Sequence, residues 1–272
     1  MKKMMLPFLF LIIFLNSCSR LDVAVQFAST YVANKADDYF DTNKEQAKWL
    51  KDNFNKDFVK VQKIIFPQMA AELMKAADVV SSKRTIDTMM LQASYDRVKN
   101  LFYDVLRTFS AKAVLFADQL TSKQIVYFQK TFDKKMNDLK EDESSKDSYK
   151  KMKKQFDTWM GTMTTVQKNE LEKFTKANPP LTAEKIYTRQ LLAHEFVTAY
   201  PDKISRKRFV EKITTHFDDA YENRFSKTAK ERNNKVVALV ASILNKMTDD
   251  QRETLVETLR DRANQLVKIS KN

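Results

Sequence analysis

Apolar side chains recur every three or four residues along most of the 272-residue chain, with charged residues between them. This period places the apolar positions on one face of an α-helix and the charged positions on the face toward water. Steps of three and four also suit near-parallel packing of neighbouring helices. The clearest stripes are Ala47, Leu50, Phe54, Phe58, Val61 and Ile65; Val98, Phe102, Val105, Phe109, Ala113 and Phe116; and Ile125, Phe128, Phe132, Met136 and Leu139.

Prolines and polar runs predict where the helices end. Pro67 interrupts a helical pattern over residues 43–80, and it predicts a kink or a restart because proline lacks an N–H and clashes with the preceding turn. The polar run at 141–148 predicts an exposed loop, and the segments 178–180 and 200–202 predict helix ends. No low-complexity linker divides the sequence, so we expect one continuous helical array.

The composition favours helices strongly. Gly161 is the only glycine in the chain, whereas tight β-hairpin turns depend on residues that tolerate positive φ. Good helix formers fill most of the remaining sequence. We therefore predict an all-α protein, either a multi-helix antiparallel bundle or an array of helical hairpins, with no sheet.

A short motif recurs at predicted helix starts. The segments 120–124, 163–167 and 247–251 each contain an apolar residue, a threonine, two free positions and a glutamine. This is a capping box, in which the threonine accepts from the third helical N–H and the glutamine accepts from the threonine N–H. Looser versions at 42, 80 and 204 give six starts that lie 38 to 43 residues apart. Either a helical repeat or ordinary capping in a long helical protein explains this spacing.

The first 18 residues have the pattern of a secretory signal. Lys2 and Lys3 precede an apolar run, Met4–Leu15, whose 12 residues are too few to span a bilayer. A buried core helix would explain neither the lysines nor the Ser17-Cys18 ending. The ending, residues 15–18, resembles a bacterial lipoprotein box. That resemblance implies a signal peptide at 1–17, a mature all-helical domain at 18–272, and a lipid on Cys18.

The resemblance also implies a location in the cell envelope. An aspartate after the cysteine usually retains proteobacterial lipoproteins in the inner membrane, and this chain has Ser19 there. We therefore expect an outer-membrane lipid anchor and a body that faces the periplasm. Cys18 is the only cysteine, so its acylation leaves no thiol for a disulfide or for structural zinc.

The formal net charge of +13 is high. For an exported protein we expect anionic lipid headgroups, lipopolysaccharide phosphates or acidic or unfolded proteins as partners, and not nucleic acid. High net charge also simply keeps a helical protein soluble. One basic stretch is a candidate patch for an anionic partner, and the solvated face of two helices is the alternative. Its residues are Lys203, Arg206, Lys207, Arg208, Lys212, Arg224, Lys227, Lys230, Arg232 and Lys235.

Catalytic and metal motifs are missing from the sequence. His194-Glu195 begins like a zinc-protease motif, but Thr198 stands where the second histidine is needed. The other histidine, His216, lies beside acidic residues in a pattern common on helix surfaces. A chain with one glycine has no Gly-rich phosphate loop and no Gly-x-Ser-x-Gly elbow. We predict a protein that is not an enzyme, with no metal and no cofactor.

Two resemblances bear on function. The Thr-x-x-Gln boxes resemble the motif of Spy/CpxP-like periplasmic proteins, which are helical ATP-independent chaperones and stress sensors. A longer set of features is similar to an uncharacterised family of helical proteobacterial outer-membrane lipoproteins, which implies an address and a fold but no mechanism. This set comprises the lipoprotein box, the segments 20–22 and 38–41 ahead of Gln46, Pro67 ahead of 70–73, and 159–164 ahead of Gln167.

These observations lead to two functional expectations. The first is a non-enzymatic binding or chaperone-like lipoprotein, with apolar grooves bordered by lysine and arginine. The alternative is a structural or assembly factor that bridges the membrane to another envelope component. A hydrolase of cell wall or lipid has no visible catalytic set in this sequence.

Overall fold

The computed structural model describes residues 21–140, 145–220 and 223–271, which are almost entirely helical and contain no strand. The all-α prediction is therefore confirmed for these ranges. The predicted signal peptide at 1–17 and Cys18 lie outside the described residues, as does the side chain of Arg224.

The helices are labelled in chain order. They are α1 (Leu21–Gln26), α2 (Ala28–Phe40), α3 (Lys44–Lys60), α4 (Phe66–Ser81), α5 (Thr88–Gln119), α6 (Ser122–Lys140), α7 (Ser145–Met160), α8 (Thr165–Ala177), α9 (Thr182–Ala199), α10 (Lys203–Thr215), α11 (Asn223–Asn245) and α12 (Asp249–Ser270). A π-helical turn, Val61–Ile65, joins α3 to α4, and a 3₁₀ turn, Phe217–Ala220, follows α10.

The α-helical pattern is interrupted just before Pro67, as the sequence predicts, but the helical path continues. In the π turn the Phe66 N–H donates to the Val61 carbonyl, five residues back. Pro67 then occupies the first turn of α4, where its missing N–H costs little. The wider turn accommodates the proline, so residues 44–81 form one long segment of α3, π turn and α4.

Three predicted boundaries need correction. The serines at 81 and 82 end α4, because their hydroxyls donate back to the carbonyls of Asp78 and Val79 at 2.9 and 2.8 Å. The next helix is capped by Asp87 instead, which accepts from the Met90 N–H at 2.7 Å. The start predicted at 204 lies inside α10, which Asp202 caps, and residues 145–148 belong to α7 and not to a loop. Four of the six predicted starts are therefore confirmed, and the two at 80 and 204 are wrong.

The larger of two hydrophobic cores forms where α12 lies along α4. The helices α7, α8 and α11 also contribute to this core, and its most enclosed side chains are Ala77, Leu171, Ile243 and Ala263. Arg252 of α12 also donates to the Val80 carbonyl at the end of α4, at 2.8 Å. Residues from both halves of the sequence thus share one interior.

The second core is built from aromatic rings at the other end of α5. Phe128 of α6 stacks on Phe40 of α2 with 5.1 Å between ring centroids, and Phe196 of α9 meets Phe128 edge-on at 5.4 Å. The helix α5 contributes Leu101 to the first core and Ala117 to the second. At about 1.5 Å per residue its 32 residues span roughly 48 Å, so one helix joins the two cores.

Candidate functional site

The glutamines of four capping boxes meet in two reciprocal pairs. Gln46 and Gln124 exchange hydrogen bonds between their side-chain amides, with Nε2–Oε1 distances of 3.2 and 2.7 Å. Gln167 and Gln251 do the same, at 3.0 Å in each direction. The members of a pair are 78 and 84 residues apart in sequence, so each pair joins two distant helix starts.

Each glutamine also reaches the chain that leads into its partner's helix. Gln46 donates to the Gln119 carbonyl at 2.9 Å, and Gln124 donates to the Asp41 carbonyl at 3.1 Å. In the second pair, Gln251 donates to the Thr162 carbonyl at 2.7 Å and Gln167 to the Lys246 carbonyl at 3.2 Å. One amide therefore caps its own helix through its oxygen and satisfies a second helix end through its nitrogen.

Sequence reasoning identified these boxes as caps and missed their pairing. The available signal was the residue type: each of the three clear boxes has glutamine, although glutamate completes a capping box equally well. Only an amide can donate as well as accept. The pairs position the helix ends and leave no reactive group, so we assign them a structural role.

The chain's only glycine lies directly before one of these boxes. Gly161 ends α7 with φ of 78°, a left-handed conformation that side chains with a Cβ adopt at a cost. Asp41, with φ of 49°, ends α2 at the corresponding place before the Gln46 box. In each glutamine pair, one of the two capping boxes is thus preceded by a residue in the left-handed conformation, at which the chain turns.

A shallow groove beside α10 is one candidate for a concave binding surface. It has a volume of about 490 Å³, is open to solvent, and is lined by Ser110, Arg208, Glu211, Lys212, Thr215 and His216. The hydroxyls of Ser110 and Thr214 lie 2.7 Å apart and join α5 to α10. Arg208, Lys212 and two hydroxyls line the groove beside the carboxylate of Glu211.

Several residues of the predicted basic patch contact other parts of the protein. Arg206 binds Asp118 through Nε and Nη2 at 2.9 and 2.7 Å, and it also donates to the Tyr200 carbonyl. Lys212 binds both oxygens of Glu195 at 2.8 and 3.0 Å. Because these cations neutralise buried or half-buried partners, they serve the fold at least in part.

The other described patch residues fall into three groups. Arg232 donates to the Pro179 carbonyl at 2.6 Å and lies over the Phe174 ring, and burial lowers the pKa of its guanidinium. Lys207 lies 3.8 Å from Glu211, a long ion pair on the surface of α10. Lys203, Arg208, Lys227, Lys230 and Lys235 are exposed. The patch is thus carried by α10 and α11, two helices that both pack on α5.

The face of α10 that leads into the groove combines an exposed apolar residue with cations. Ile204, Arg208 and Lys212 follow one another at intervals of four residues, so they share one side of the helix. The Ile204 side chain is 69% exposed, although isoleucine is among the residues most often buried. Elsewhere Met89 and Val166 are also exposed to water.

Two carboxylates that join neighbouring helices have lowered pKa values. Burial alone raises the pKa of Glu72, but hydrogen bonds from Arg97 and Lys75 outweigh burial and hold the pKa below its ordinary value. Glu170 behaves in the same way through its 2.6 Å contact with Lys246. Their stabilisation is present above the ordinary glutamate pKa and is lost as the pH falls through the lowered values.

Both histidines are exposed at the protein surface. His194 is exposed on α9, and His216 follows α10 at the groove. Among the described residues, no group of three or more histidine, cysteine, aspartate or glutamate side chains is arranged to hold a metal ion. Nor does any helix within those ranges have the length and apolar character needed to cross a membrane.

Comparison with known proteins identifies a family. The model of a family of unknown function (DUF6279) matches residues 38–219, a range that holds Gln46, Gln124 and Gln167. Neither the characterised proteins nor the solved structures give a match. Since the matched range covers more than half of the 272 residues, the chain belongs to the DUF6279 family.

Proposed function

We propose that this protein is an outer-membrane lipoprotein whose helical body binds unfolded or acidic polypeptides in the periplasm, without catalysing a reaction. The observation that carries this proposal is the face of α10, where the exposed Ile204 adjoins the exposed Arg208 and the groove beside it. An exposed apolar residue bordered by cations suits a polypeptide that carries both apolar and acidic side chains. Removal of the signal peptide with Lys2 and Lys3 lowers the net charge from +13 to +11, which still favours acidic partners.

Suppression of client aggregation tests the binding proposal. We expect the full chain, reconstituted into phosphatidylcholine vesicles, to reduce light scattering by reduced α-lactalbumin at several-fold excess. The double variant I204S/R208Q is expected to lose at least half of this effect, because it removes the apolar contact and a cation that lies one turn away.

The matched control uses the same chemistry on another helix. Val126 and Lys130 are exposed and one turn apart on α6, so V126S/K130Q removes an equivalent pair outside the α10 face. We expect this variant to suppress scattering as the parent does. Equal loss in both double variants, or no suppression by the parent chain, would contradict the proposal.

The alternative is a structural or assembly factor that bridges the membrane to another envelope component. The two glutamine pairs favour this second function, since they fix the positions of four helix starts. A body fixed in this way presents a preformed surface to a partner. Crosslinking in cells separates the two functions. A spread of unfolded clients supports the chaperone-like function, whereas a single stoichiometric partner supports the assembly factor.

The lipid anchor has its own test, because it depends on the sequence of the first 18 residues alone. We expect Cys18→Ala to leave an uncleaved or soluble form and to abolish labelling by a fatty-acid probe. The Ser17→Ala variant, which keeps a small residue before the cysteine, is the control that still carries lipid. Unchanged membrane fractionation of Cys18→Ala, with no labelling of the parent chain, would refute the anchor.

A further inference from the structure

Lysines and apolar side chains alternate along the outer side of residues 56–64. Lys56, Lys60 and Lys63 are exposed, as are Val59 and Ile64, with exposed fractions of 43% and 59%. A π-helix has more residues per turn than an α-helix, so side chains five residues apart lie closer to the same side of it. The π turn thereby contributes to this arrangement. The π turn thus places two β-branched apolar side chains among three cations.

The charge of this strip is available to a ligand. Lys56 and Lys63 make no ion pair with any residue that the structure describes. Lys60 lies 3.0 Å from Asp57, the one acidic residue within the strip, and the Asp57 side chain is mostly buried. The strip is therefore cationic and apolar together, which is the composition of helices that lie on anionic membranes.

The π turn and α1, which begins at Leu21, both pack against α12. Val61 and Ile65 are 1% and 4% exposed, and they belong to the same core as Leu21. Leu21 is three residues after Cys18, and three residues span at most about 11 Å. An acyl chain on Cys18 would therefore hold this core, and the turn that packs into it, close to the bilayer.

Two exposed aromatic residues lie at the same end of the body. The helices α2 and α3 form an antiparallel hairpin across residues 41–43, so the beginning of α2 lies beside the end of α3. Phe27 and Tyr31, near the beginning of α2, are 60% and 53% exposed. Aromatic side chains are enriched where proteins meet the headgroup region of a bilayer.

We propose that Lys56, Val59, Lys63 and Ile64, together with Phe27 and Tyr31, form a surface that docks on anionic phospholipid headgroups. The leaflet is the one that carries the acyl chain of Cys18, so the inference rests on the proposed lipid anchor. The lysines contact the phosphates, and the apolar side chains enter the boundary between headgroups and acyl chains. The anchor and the surface would then hold the body in one orientation on the leaflet.

Site-specific labelling tests the docking directly. Since Cys18 is the only cysteine and its acylation blocks it, Ile64→Cys offers one free thiol for an environment-sensitive dye. The full labelled chain is reconstituted into vesicles of phosphatidylethanolamine and phosphatidylglycerol. We expect a blue-shifted dye that is quenched by lipids brominated near the headgroup, and weaker quenching in pure phosphatidylcholine.

The control label is placed at Tyr187, which is 54% exposed on α9 outside the proposed surface. We expect the dye at Tyr187→Cys to stay in water in both kinds of vesicle. Equal quenching at the two positions, or no quenching at Ile64→Cys in anionic vesicles, would overturn the docking surface.

Removal of the charges supplies a second measurement. We expect K56Q/K63Q to lower the equilibrium constant for docking about 30-fold, which corresponds to roughly 1 kcal/mol for each lysine near an anionic surface. Added salt should lower this constant further. These experiments test the proposed anchor and the proposed surface independently. A dye that stays in water while mass spectrometry finds Cys18 acylated refutes the surface alone, whereas a bare Cys18 with a quenched dye refutes the anchor alone.

Discussion

Replacement of Gln167 by glutamate is expected to lower the free energy of unfolding by about 3 kcal/mol or more. The new carboxylate still accepts from the Thr164 N–H, so the capping box survives. It can no longer donate to the Lys246 carbonyl or to the Gln251 side chain, and it places a charge where Gln167 has no exposed surface. The midpoint temperature of thermal unfolding should fall by about 6–12 °C, at roughly 2–4 °C per kcal/mol.

The pH dependence of this variant separates a buried charge from a general packing defect. Burial raises the pKa of the introduced carboxyl, so the penalty is greatest above that raised pKa. As the pH falls through it, the protonated carboxyl can donate again and the variant should approach the parent chain. Gln124 is only half-buried, and Gln124→Glu should cost about 1 kcal/mol. A Q167E penalty that does not change with pH would refute the assigned role of the amide.

The second large effect is expected at the aromatic core. Phe196→Ala should cost about 3–5 kcal/mol, because it empties the centre of the ring cluster. The Phe196 ring has four aromatic neighbours, with centroid distances of 5.4 to 6.5 Å: Phe40, Phe128, Tyr200 and Phe209. Denaturant unfolding monitored by circular dichroism measures the change.

The control for this prediction lies on the same helix. Tyr187 of α9 is more than half exposed, so Tyr187→Ala should change the free energy of unfolding by less than about 0.5 kcal/mol. Since α5 contributes to both cores, we also expect Phe196→Ala to unfold in one transition. A loss below about 1 kcal/mol, or two separate transitions, would show that the ring cluster is not part of one cooperative body.

The helices themselves were predictable, because periodicity and capping act over a few residues. Val61, Val98, Ile125 and Phe128 were placed on apolar stripes and are buried. The errors at 81–82 and 204–205 arose from serine, whose hydroxyl can accept at a helix start or donate back at a helix end. The nearby aspartates at 87 and 202 supply the actual caps.

The arrangement of the functional surfaces was not predictable from local pattern. Nothing near Arg206 indicates that its partner is Asp118, 88 residues earlier, so the sequence alone counted Arg206 as a free cation. The same limit hid the contact between Gln167 and Gln251. Ile64 is exposed, whereas its neighbour Ile65 continues the apolar stripe into the core. The reason is the π turn, which changes the angle between successive side chains around the helix at that point.

The packing of α12 against α4 has a consequence for the order in which the protein can fold. Arg252 bonds to a carbonyl 172 residues earlier, and the second glutamine pair also waits for Gln251. A chain that emerges from its N-terminus, whether from the ribosome or from a translocation channel, leaves the apolar side of α4 uncovered until the last helix arrives. During that interval the same apolar surface is open to contacts with other unfolded chains.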